Sequence, residues 1–242
     1  MSETNATSQR RRVSDAPQFN PILWWSTIAG ICGIILFGSV FVTLSYRKLS
    51  RDQATDPRPF YLAKLIDFQT VNRDGRKVWF GDLEGKIWIA GYQYTGCPGG
   101  CLGMAAVMKG LHEKHGKRED FHLVSISLAP SEDTPEKMDA WVKAHGVDEP
   151  NWWFLTGDEE RIRNYMIRYF KFFGVRENTD PAKIASEGKF AHDQRLALVD
   201  REANVRGYYD VMNSKIGDFE YQRLLKDLDY LLNEKPVAEN PK

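Results

Sequence analysis

The stretch KIWIAGYQYTGCPGGC, from Lys86 to Cys101, decides the fold. Its first part, Lys86 to Tyr94, is a nearly unbroken apolar run that is rich in aromatic and β-branched side chains. Such a run is typical of a central strand that is covered on both faces. The loop that follows contains glycine and proline and carries two cysteines, Cys97 and Cys101. The sequence therefore predicts a buried strand that ends in a tight turn bearing a pair of thiols.

Helical and extended patterns alternate after this turn. Met104, Val107, Met108 and Leu111 recur at the spacing of one helix face, and Gly116 can end that helix. The sequence then predicts, in order, a strand at 121–128, a helix from Thr134 with Met138, Trp141, Val142 and His145 on its inner face, a strand at 152–155, a helix at 158–170, a long loop at 174–191, strands at 195–200 and 205–209, and a helix at 219–232.

Upstream of the central strand, Asp74-Gly75 is a strong turn signal between the extended segments 61–68 and 77–80. We expect an N-terminal hairpin there. A hairpin, then alternating strands and helices, then a second hairpin and a closing helix call for a mixed sheet between helices. This order predicts an α/β protein with a thioredoxin-like fold, a mixed central sheet and an N-terminal hairpin extension.

The composition excludes several classes of protein. The chain has 242 residues, with 33 Lys and Arg against 33 Asp and Glu, and this balance gives no support to nucleic-acid binding. Three cysteines are too few for a disulfide framework. The apolar fraction of 42% is that of a globular protein and argues against disorder.

One segment, from Ile22 to Leu44, contains no charged side chain and is long enough to cross a bilayer as a helix. It predicts a single membrane anchor that is not cleaved. Arginine and lysine flank both ends equally, so the charges do not decide the orientation. A short tail before a single helix and a large C-terminal domain usually stays in the cytoplasm, and we expect that orientation here. We expect a cytoplasmic tail (1–21), a transmembrane anchor (22–46), a tether (47–58), a thioredoxin-like domain (59–235) and a C-terminal tail (236–242).

The spacing of Cys97 and Cys101 is C-x3-C, at the end of a strand and the start of a helix, where free N–H groups favour thiolates. The pair is either redox-active or part of a metal site that needs a third ligand. His192 is the candidate for that ligand because it follows the polar loop and precedes a buried strand, although its spacing alone does not separate it from an ordinary loop histidine. Two thiolates and an imidazole suit Cu(I) best, and zinc with a fourth ligand stays possible. On the first helix Met104 and Met108 are more typical of core than of ligands.

These residues carry a resemblance to a known family. The stretches DLEGKIWIAGYQYTGCPGGC, VSISLAPSEDTPE, WWFLTG and AHDQRLALVDREANVRGYY occur in an order and spacing that resemble the Sco/SenC family of membrane-anchored, thioredoxin-like copper chaperones for cytochrome c oxidase assembly. The resemblance implies that Cys97, Cys101 and His192 bind copper, and that the soluble domain faces the periplasm or the outside from the inner membrane. Ala129 and Ala191 stand where the family usually has acidic residues, and Gly99-Gly100 replaces a bulkier pair.

The leading hypothesis is thus a chaperone that passes copper to the dinuclear copper centre of the copper-bearing subunit of cytochrome c oxidase. The alternative is an enzyme, a thiol–disulfide oxidoreductase whose catalytic residues are Cys97 and Cys101, with a thioredoxin-like reductant as a possible partner. A peroxiredoxin-like peroxidase and a purely structural assembly factor are more distant alternatives. His192 discriminates between the first two, because copper delivery requires it and simple disulfide exchange does not.

Overall fold

The computed structural model describes residues 20–55 and 59–234. The chain divides into two compact units, Met1–Asp56 and Pro57–Lys242. In the first unit, helix α1 runs from Pro21 to Thr55. Its part Pro21–Arg47 is long and apolar enough to cross a membrane, judged by length and composition. Most of the predicted cytoplasmic tail (1–19), the end of the predicted tether (56–58) and the predicted C-terminal tail (236–242) lie outside the described residues.

Helix α1 extends beyond the predicted anchor, 22–46, into the segment that was expected to be a tether. The physical reason is that residues 47–55 contain neither glycine nor proline, so the backbone hydrogen bonds of the helix continue without a break. Pro57 is the first residue that cannot continue them. Most of the predicted tether is therefore helical in the structure.

The second unit contains one large sheet, several helices and a small two-stranded sheet. Its strands are β1 (Ala63–Lys64), β2 (Gln69–Asn72), β3 (Lys77–Trp79), β4 (Ile87–Gln93), β5 (Phe121–Ser127), β6 (Trp152–Thr156), β7 (Arg176–Glu177), β8 (Phe190–Ala191), β9 (Leu196–Val199) and β10 (Asn204–Tyr209). Its helices are α2 (Gly100–His115), α3 (Pro135–His145), α4 (Glu159–Arg168), α5 (Pro181–Glu187) and α6 (Gly217–Asn233). A 3-10 helix covers Phe80–Leu83.

The large sheet has the order β1-β10-β9-β4-β5-β6-β2-β3. Strands β4, β5 and β6 are parallel, and β9 lies antiparallel against β4. The predicted mixed sheet is therefore confirmed. All residues of β4 and β5 are buried, as expected of strands in the middle of a sheet that helices cover on both faces.

Alternate residues of β4 belong to two different cores. Ile87 and Ile89 pack with side chains of α2, α3 and α6. Trp88, Ala90 and Tyr92 face the other way, toward α4 and an aromatic cluster around Phe170. This alternation follows from the period of a strand and buries apolar side chains on both faces of the sheet.

The N-terminal hairpin is present, but its first strand was misplaced in the prediction. Strand β2, not the segment 61–68, pairs with β3 across the Asp74-Gly75 turn. Ala63 and Lys64 instead pair with β10 at the opposite edge of the sheet. The hydrophobic pattern of 61–68 shows that the segment is extended but does not show which strand it pairs with.

The helix signals were mostly correct. The Thr134 side chain accepts a hydrogen bond from the Lys137 N–H, and Gly146 ends α3 in the left-handed conformation, φ 63°. The prediction was wrong for His145, which is exposed and stacks on Trp141. His145 is the last residue of α3, directly before the Gly146 cap, so few side chains of the domain surround it.

The segment 174–191 was predicted to be a loop and has a structure of its own. Strands β7 and β8 pair with each other, and α5 lies between them. The Asp180 side chain accepts a hydrogen bond from the Ala182 N–H and so caps α5. These elements are too short for their periodicity to be read from sequence.

Candidate metal site

The two cysteines lie where β4 gives way to α2. The Cys97 N–H donates to the Tyr94 carbonyl oxygen over 3.2 Å, which turns the chain after the strand. Cys101 is in the first turn of α2, and its N–H donates to Cys97 Sγ over 3.3 Å. The cysteines are not joined by a disulfide. Cys97 is half-buried and Cys101 is buried, so Cys97 is the more accessible thiol.

The Cys101 thiol ionises less readily than an ordinary cysteine thiol. The side-chain hydrogen bond to Cys97, burial, and the negative charge of an ionised Cys97 all raise the pKa of Cys101 above its usual range, in that order of size. A hydrogen bond that shares the proton with Cys97 favours the neutral form of Cys101, as does a site with little water. Cys101 therefore holds its proton at neutral pH unless a cation enters beside it.

A buried carboxylate anchors the loop before the cysteines. Asp133 is fully buried and accepts hydrogen bonds from the Thr95 N–H (3.1 Å), the Thr95 hydroxyl (2.5 Å) and the Ser127 hydroxyl (2.6 Å). Burial raises the pKa of Asp133, and its hydroxyl donors act in the opposite direction. The carboxylate thus joins the end of β4 to the end of β5 and holds the cysteine turn against the sheet.

A small cavity of about 40 Å³ lies beside the cysteines. This volume is large enough for an ion or for water. Its walls combine soft sulfur donors with one imidazole and an ion pair: Tyr92, Cys97, Cys101, Met104, His192, Asp193, Gln194, Arg195 and Met212. The structure therefore brings the three sequence-predicted ligands to one cavity.

His192 follows β8 and lines this cavity. Its Nδ1 is 2.7 Å from the Asp193 carbonyl oxygen, and its ring meets the Tyr92 ring edge-on with centroids 5.9 Å apart. An Nδ1–H that donates to the carbonyl leaves Nε2 as the nitrogen with a lone pair for a metal. The ring is half-buried, so it can be reached from solvent.

Asp193 fixes the backbone on which His192 sits. It is buried and accepts bonds from the Phe173 N–H and from the Arg195 N–H and guanidinium. Burial acts to raise the pKa of Asp193, but Arg195 and the two N–H donors hold it below its usual range. The Arg195 guanidinium lies between the rings of Phe173 and Tyr208, at 4.8 and 4.7 Å from their centroids.

The three predicted ligands share the cavity without converging on one point. Among residues 20–55 and 59–234, no group of three His, Cys, Asp or Glu side chains lies close enough together to hold a metal ion. The two cysteines are in contact, and His192 stands apart from them as another part of the wall. An ion bound by all three would require His192 to approach the sulfurs.

The segment from α5 to β8, residues 181–191, covers the cysteine turn. A Cβ on Gly188 would lie 3.1 Å from Pro98 Cδ and 4.0 Å from Cys97 Sγ, and the φ of this glycine, 92°, also disfavours any side chain. Next to it, the Lys189 ammonium pairs with Glu132 over 2.6 Å. The backbone at Gly188 thus closely approaches the thiol of Cys97, four residues before His192.

Glu132 ties this covering segment to the central strand. Its carboxylate accepts from Lys189 and, over 2.5 Å, from the Tyr94 hydroxyl. The Lys189 and Tyr94 donors lower the pKa of Glu132, Lys189 the more strongly. The Phe190 ring also meets the Tyr94 ring edge-on at 5.3 Å between centroids. These contacts fix the segment 181–191 over the cysteine turn through side chains close to the protein surface.

Tyr92 and Met212 are among the cavity residues that were not singled out from sequence. The alternating pattern of β4 predicts that Tyr92 is buried. It does not predict that the Tyr92 hydroxyl lacks a hydrogen-bond partner among the described residues, as the structure shows. Met212 lies in the turn before α6, and no sequence pattern links it to the cysteines. Met104 lines the cavity, whereas Met108 is core as expected.

A dithiol at the carboxyl end of a central strand, on a mixed sheet between helices, defines the protein as a thioredoxin-like domain with a cysteine-based site. Comparison with known proteins narrows this class. The SCO1/SenC family model matches residues 60–219, which is most of the second unit. The chain belongs to the SCO1/SenC family, and the predicted resemblance is confirmed.

Individual relatives agree with this assignment. The chain is 27% identical over 169 residues to the SCO1 protein homolog of Bacillus subtilis (strain 168), covering 69% of this chain and 82% of that protein. The solved structure of BsSco, described as a member of the Sco family of cytochrome c oxidase assembly proteins with a disulfide switch, matches with TM-score 0.58 and 23% identity over 73% of this chain and 97% of that one.

A further solved structure shows the same fold around a metal. Arabidopsis thaliana ScoI with copper bound matches with TM-score 0.53 and 23% identity, covering 69% of this chain and 99% of that one. At this identity the likeness shows the shared thioredoxin-like fold.

Proposed function

We propose that this protein is a copper chaperone that carries copper as cargo on Cys97, Cys101 and His192. It delivers the ion to the dinuclear copper centre of cytochrome c oxidase. The observation that carries the proposal is that these three side chains line one cavity of about 40 Å³ in a member of the SCO1/SenC family. A fold shared with a copper-bound Sco protein supports it.

The donor set fits copper. Two sulfurs and one imidazole are soft ligands in a low coordination number, which favours Cu(I) over harder divalent ions. A metal binds thiolates, so loading copper releases protons. Cys101 is the thiol that must be deprotonated against its raised pKa. The cation offsets the burial that keeps this thiol neutral. Copper affinity therefore increases with pH.

His192 is the ligand that moves. It follows the segment 181–191, which is held over the cysteine turn by Lys189, Glu132 and Phe190. Closing this segment further brings the imidazole toward the sulfurs and completes a three-ligand site. Release of His192 opens a coordination position that an incoming thiolate of the partner can occupy, so the ion moves by ligand exchange.

The remaining assignments concern location. The apolar part of α1 anchors the chain in the inner membrane, with residues 1–21 in the cytoplasm and the domain 59–235 on the periplasmic or outer side. The length and the composition of Pro21–Arg47 support the anchor. An anchored domain samples only a thin layer near the membrane, where the copper-bearing subunit of an oxidase also lies.

A copper-transfer assay tests the function. Full-length chain in detergent is loaded with one equivalent of copper and mixed with the apo copper-bearing subunit of cytochrome c oxidase, and the visible absorption of the dinuclear centre is followed. We expect transfer by the wild type and none by His192→Ala. A matched control, His145→Ala, alters an exposed histidine far along α3 and keeps transfer. Transfer by His192→Ala at the wild-type rate would contradict the proposal.

A second candidate function, thiol–disulfide oxidoreductase, is favoured by the hydrogen bond from the Cys101 N–H to Cys97 Sγ. It stabilises a thiolate on the more accessible sulfur, which is the state that attacks a partner disulfide. That attack forms a mixed disulfide, and Cys101 then displaces the reduced partner thiol and leaves an intramolecular disulfide. Reduction of a model disulfide that survives His192→Ala while copper transfer does not would separate the two functions.

A further inference from the structure

A tightly bonded turn presents Met212 between β10 and α6. The Asn213 N–H donates to the Asp210 carbonyl oxygen (3.2 Å), and the Asn213 side-chain amide donates to the Asp210 carboxylate (3.0 Å). The Gly217 N–H then donates to the Asn213 carbonyl oxygen (2.8 Å). A Cβ on Gly217 would lie 2.6 Å from the Val211 carbonyl oxygen, so the turn requires glycine there. The backbone of Met212 is therefore fixed.

The side chain of Met212 occupies space that a glycine leaves on α2. A Cβ on Gly103 would lie 2.6 Å from Met212 Cε and 3.7 Å from its Sδ. Gly103 is in helix α2, where glycine is less favourable than alanine. The missing side chain of Gly103 leaves room for the Met212 thioether. Gly103 is two residues after Cys101, so Met212 packs against the helical turn that carries this cysteine.

Four sulfur-bearing side chains line the cavity: Cys97, Cys101, Met104 and Met212. Met104 is 6% exposed and belongs to the core of α2, whereas Met212 is half-buried and packs at the edge of that core. Thioether and thiolate sulfurs select Cu(I), while Cu(II) prefers nitrogen and oxygen in a tetragonal arrangement. Met212 is therefore the thioether with both a suitable position and room to turn toward an ion.

We propose that Met212 supplies a thioether ligand to Cu(I) held by Cys97 and Cys101, and so makes the chain prefer Cu(I) as cargo. The inference rests on the proposed copper-carrying function. With Met212 in place, the ion keeps three sulfur ligands when His192 is withdrawn. His192 can then act as the exchangeable ligand without loss of the cargo to solvent.

The test is the copper affinity of the full-length chain in detergent, measured separately for each oxidation state. Cu(I) affinity is measured anaerobically against bicinchoninate, and Cu(II) affinity against glycine. We expect Met212→Leu to weaken Cu(I) binding about tenfold or more, as for other losses around a metal, and to leave Cu(II) binding unchanged. Met108→Leu alters a buried methionine of α2 that does not line the cavity, and both affinities stay at the wild-type value.

A second variant keeps the sulfur and displaces it. Gly103→Ala places a methyl group where the end of the Met212 side chain lies, and that flexible end can move without loss of the fold. It is expected to weaken Cu(I) binding as Met212→Leu does, and X-ray absorption at the copper edge shows one sulfur ligand fewer in both variants. Unchanged Cu(I) affinity and sulfur number in Met212→Leu would overturn the inference alone. Absence of copper binding by the wild type would overturn the chaperone function as well.

Discussion

The backbone N–H of Cys101 donates a hydrogen bond to Cys97 Sγ over 3.3 Å, so that one cysteine stabilises charge on the other. A separate side-chain hydrogen bond to Cys97 and the burial of Cys101 raise the pKa of Cys101. Two chemically identical side chains, four positions apart on a turn, are thereby made different. One sulfur is accessible, and the other is buried and holds its proton.

This asymmetry predicts the order in which the thiols react. In a Cys32→Ala background, iodoacetamide at pH 7.5 is expected to alkylate Cys97 at least about tenfold faster than Cys101, because the thiolate is the nucleophile. Mass spectrometry of tryptic peptides gives both rates. In Cys97→Ala the leading cause of the raised pKa is removed, and Cys101 then reacts at lower pH. Equal rates for the two cysteines in the parent protein would contradict the proposed asymmetry.

Asp193 is expected to contribute strongly to stability. Asp193→Ala removes the partner of Arg195, whose guanidinium lies between two aromatic rings, and orphans the Phe173 N–H. Losing one member of such a buried pair costs about 3 kcal/mol. Urea unfolding followed by tryptophan fluorescence measures the loss. The exposed pair of Arg76 with Asp74 is the control, and Asp74→Ala should cost less than about 1 kcal/mol.

The pH dependence of this contribution follows from its sign. The folded-state pKa of Asp193 lies below the unfolded value. The unfolded chain therefore takes up a proton first as the pH falls. The contribution is fully present above the unfolded pKa and is lost as the pH falls through the folded one. Asp193→Ala is expected to flatten the acid limb of the stability profile, and an unchanged limb would contradict the assigned role.

His122 gives a second, separate pH effect. Burial, together with the charge of Lys86, lowers the pKa of His122 to about 3. An unfolded histidine titrates near pH 6.5, so the unfolded state binds the extra proton between these values and stability decreases as the pH falls. From pH 7 to pH 5 this group accounts for a loss of about 2 kcal/mol. The His122→Phe variant keeps an aromatic ring against Trp153. From pH 7 to pH 5 its free energy of unfolding should therefore decrease by about 2 kcal/mol less than that of the wild type.

Urea unfolding at the two pH values checks this prediction. The exposed His145 provides the control, since His145→Gln is expected to keep the wild-type difference between pH 7 and pH 5. A His122→Phe variant with the same difference as the wild type would show that the buried imidazole is not responsible.

Two tyrosines of the same strand end form a matched pair. The Tyr92 hydroxyl is buried without a partner among the described residues, whereas the Tyr94 hydroxyl donates to Glu132. Tyr92→Phe is therefore expected to leave the free energy of unfolding unchanged or to raise it, and Tyr94→Phe to lower it by about 1 kcal/mol. Chemical denaturation of both variants decides the matter. A larger loss for Tyr92→Phe than for Tyr94→Phe would reverse the assignment.

The sequence predicted the central strand, the two following helices and the cysteine turn, because their patterns depend on neighbours within one or two turns. Strands β1, β7 and β8 were missed or misplaced because they are two residues long and are defined by pairing with distant segments. The same limit applies to the site. His192 was a candidate from its place before a strand, but its separation from the sulfurs depends on how 181–191 packs over Pro98 and Cys97.

Copper titration of full-length chain, with copper measured by elemental analysis after desalting, tests the central claim most directly. The account predicts one copper per chain for the wild type and for the control His145→Ala. It predicts loss of tight one-to-one binding in Cys97→Ala and Cys101→Ala, and binding weakened at least about tenfold in His192→Ala. Undiminished one-to-one binding by all three variants would contradict the account.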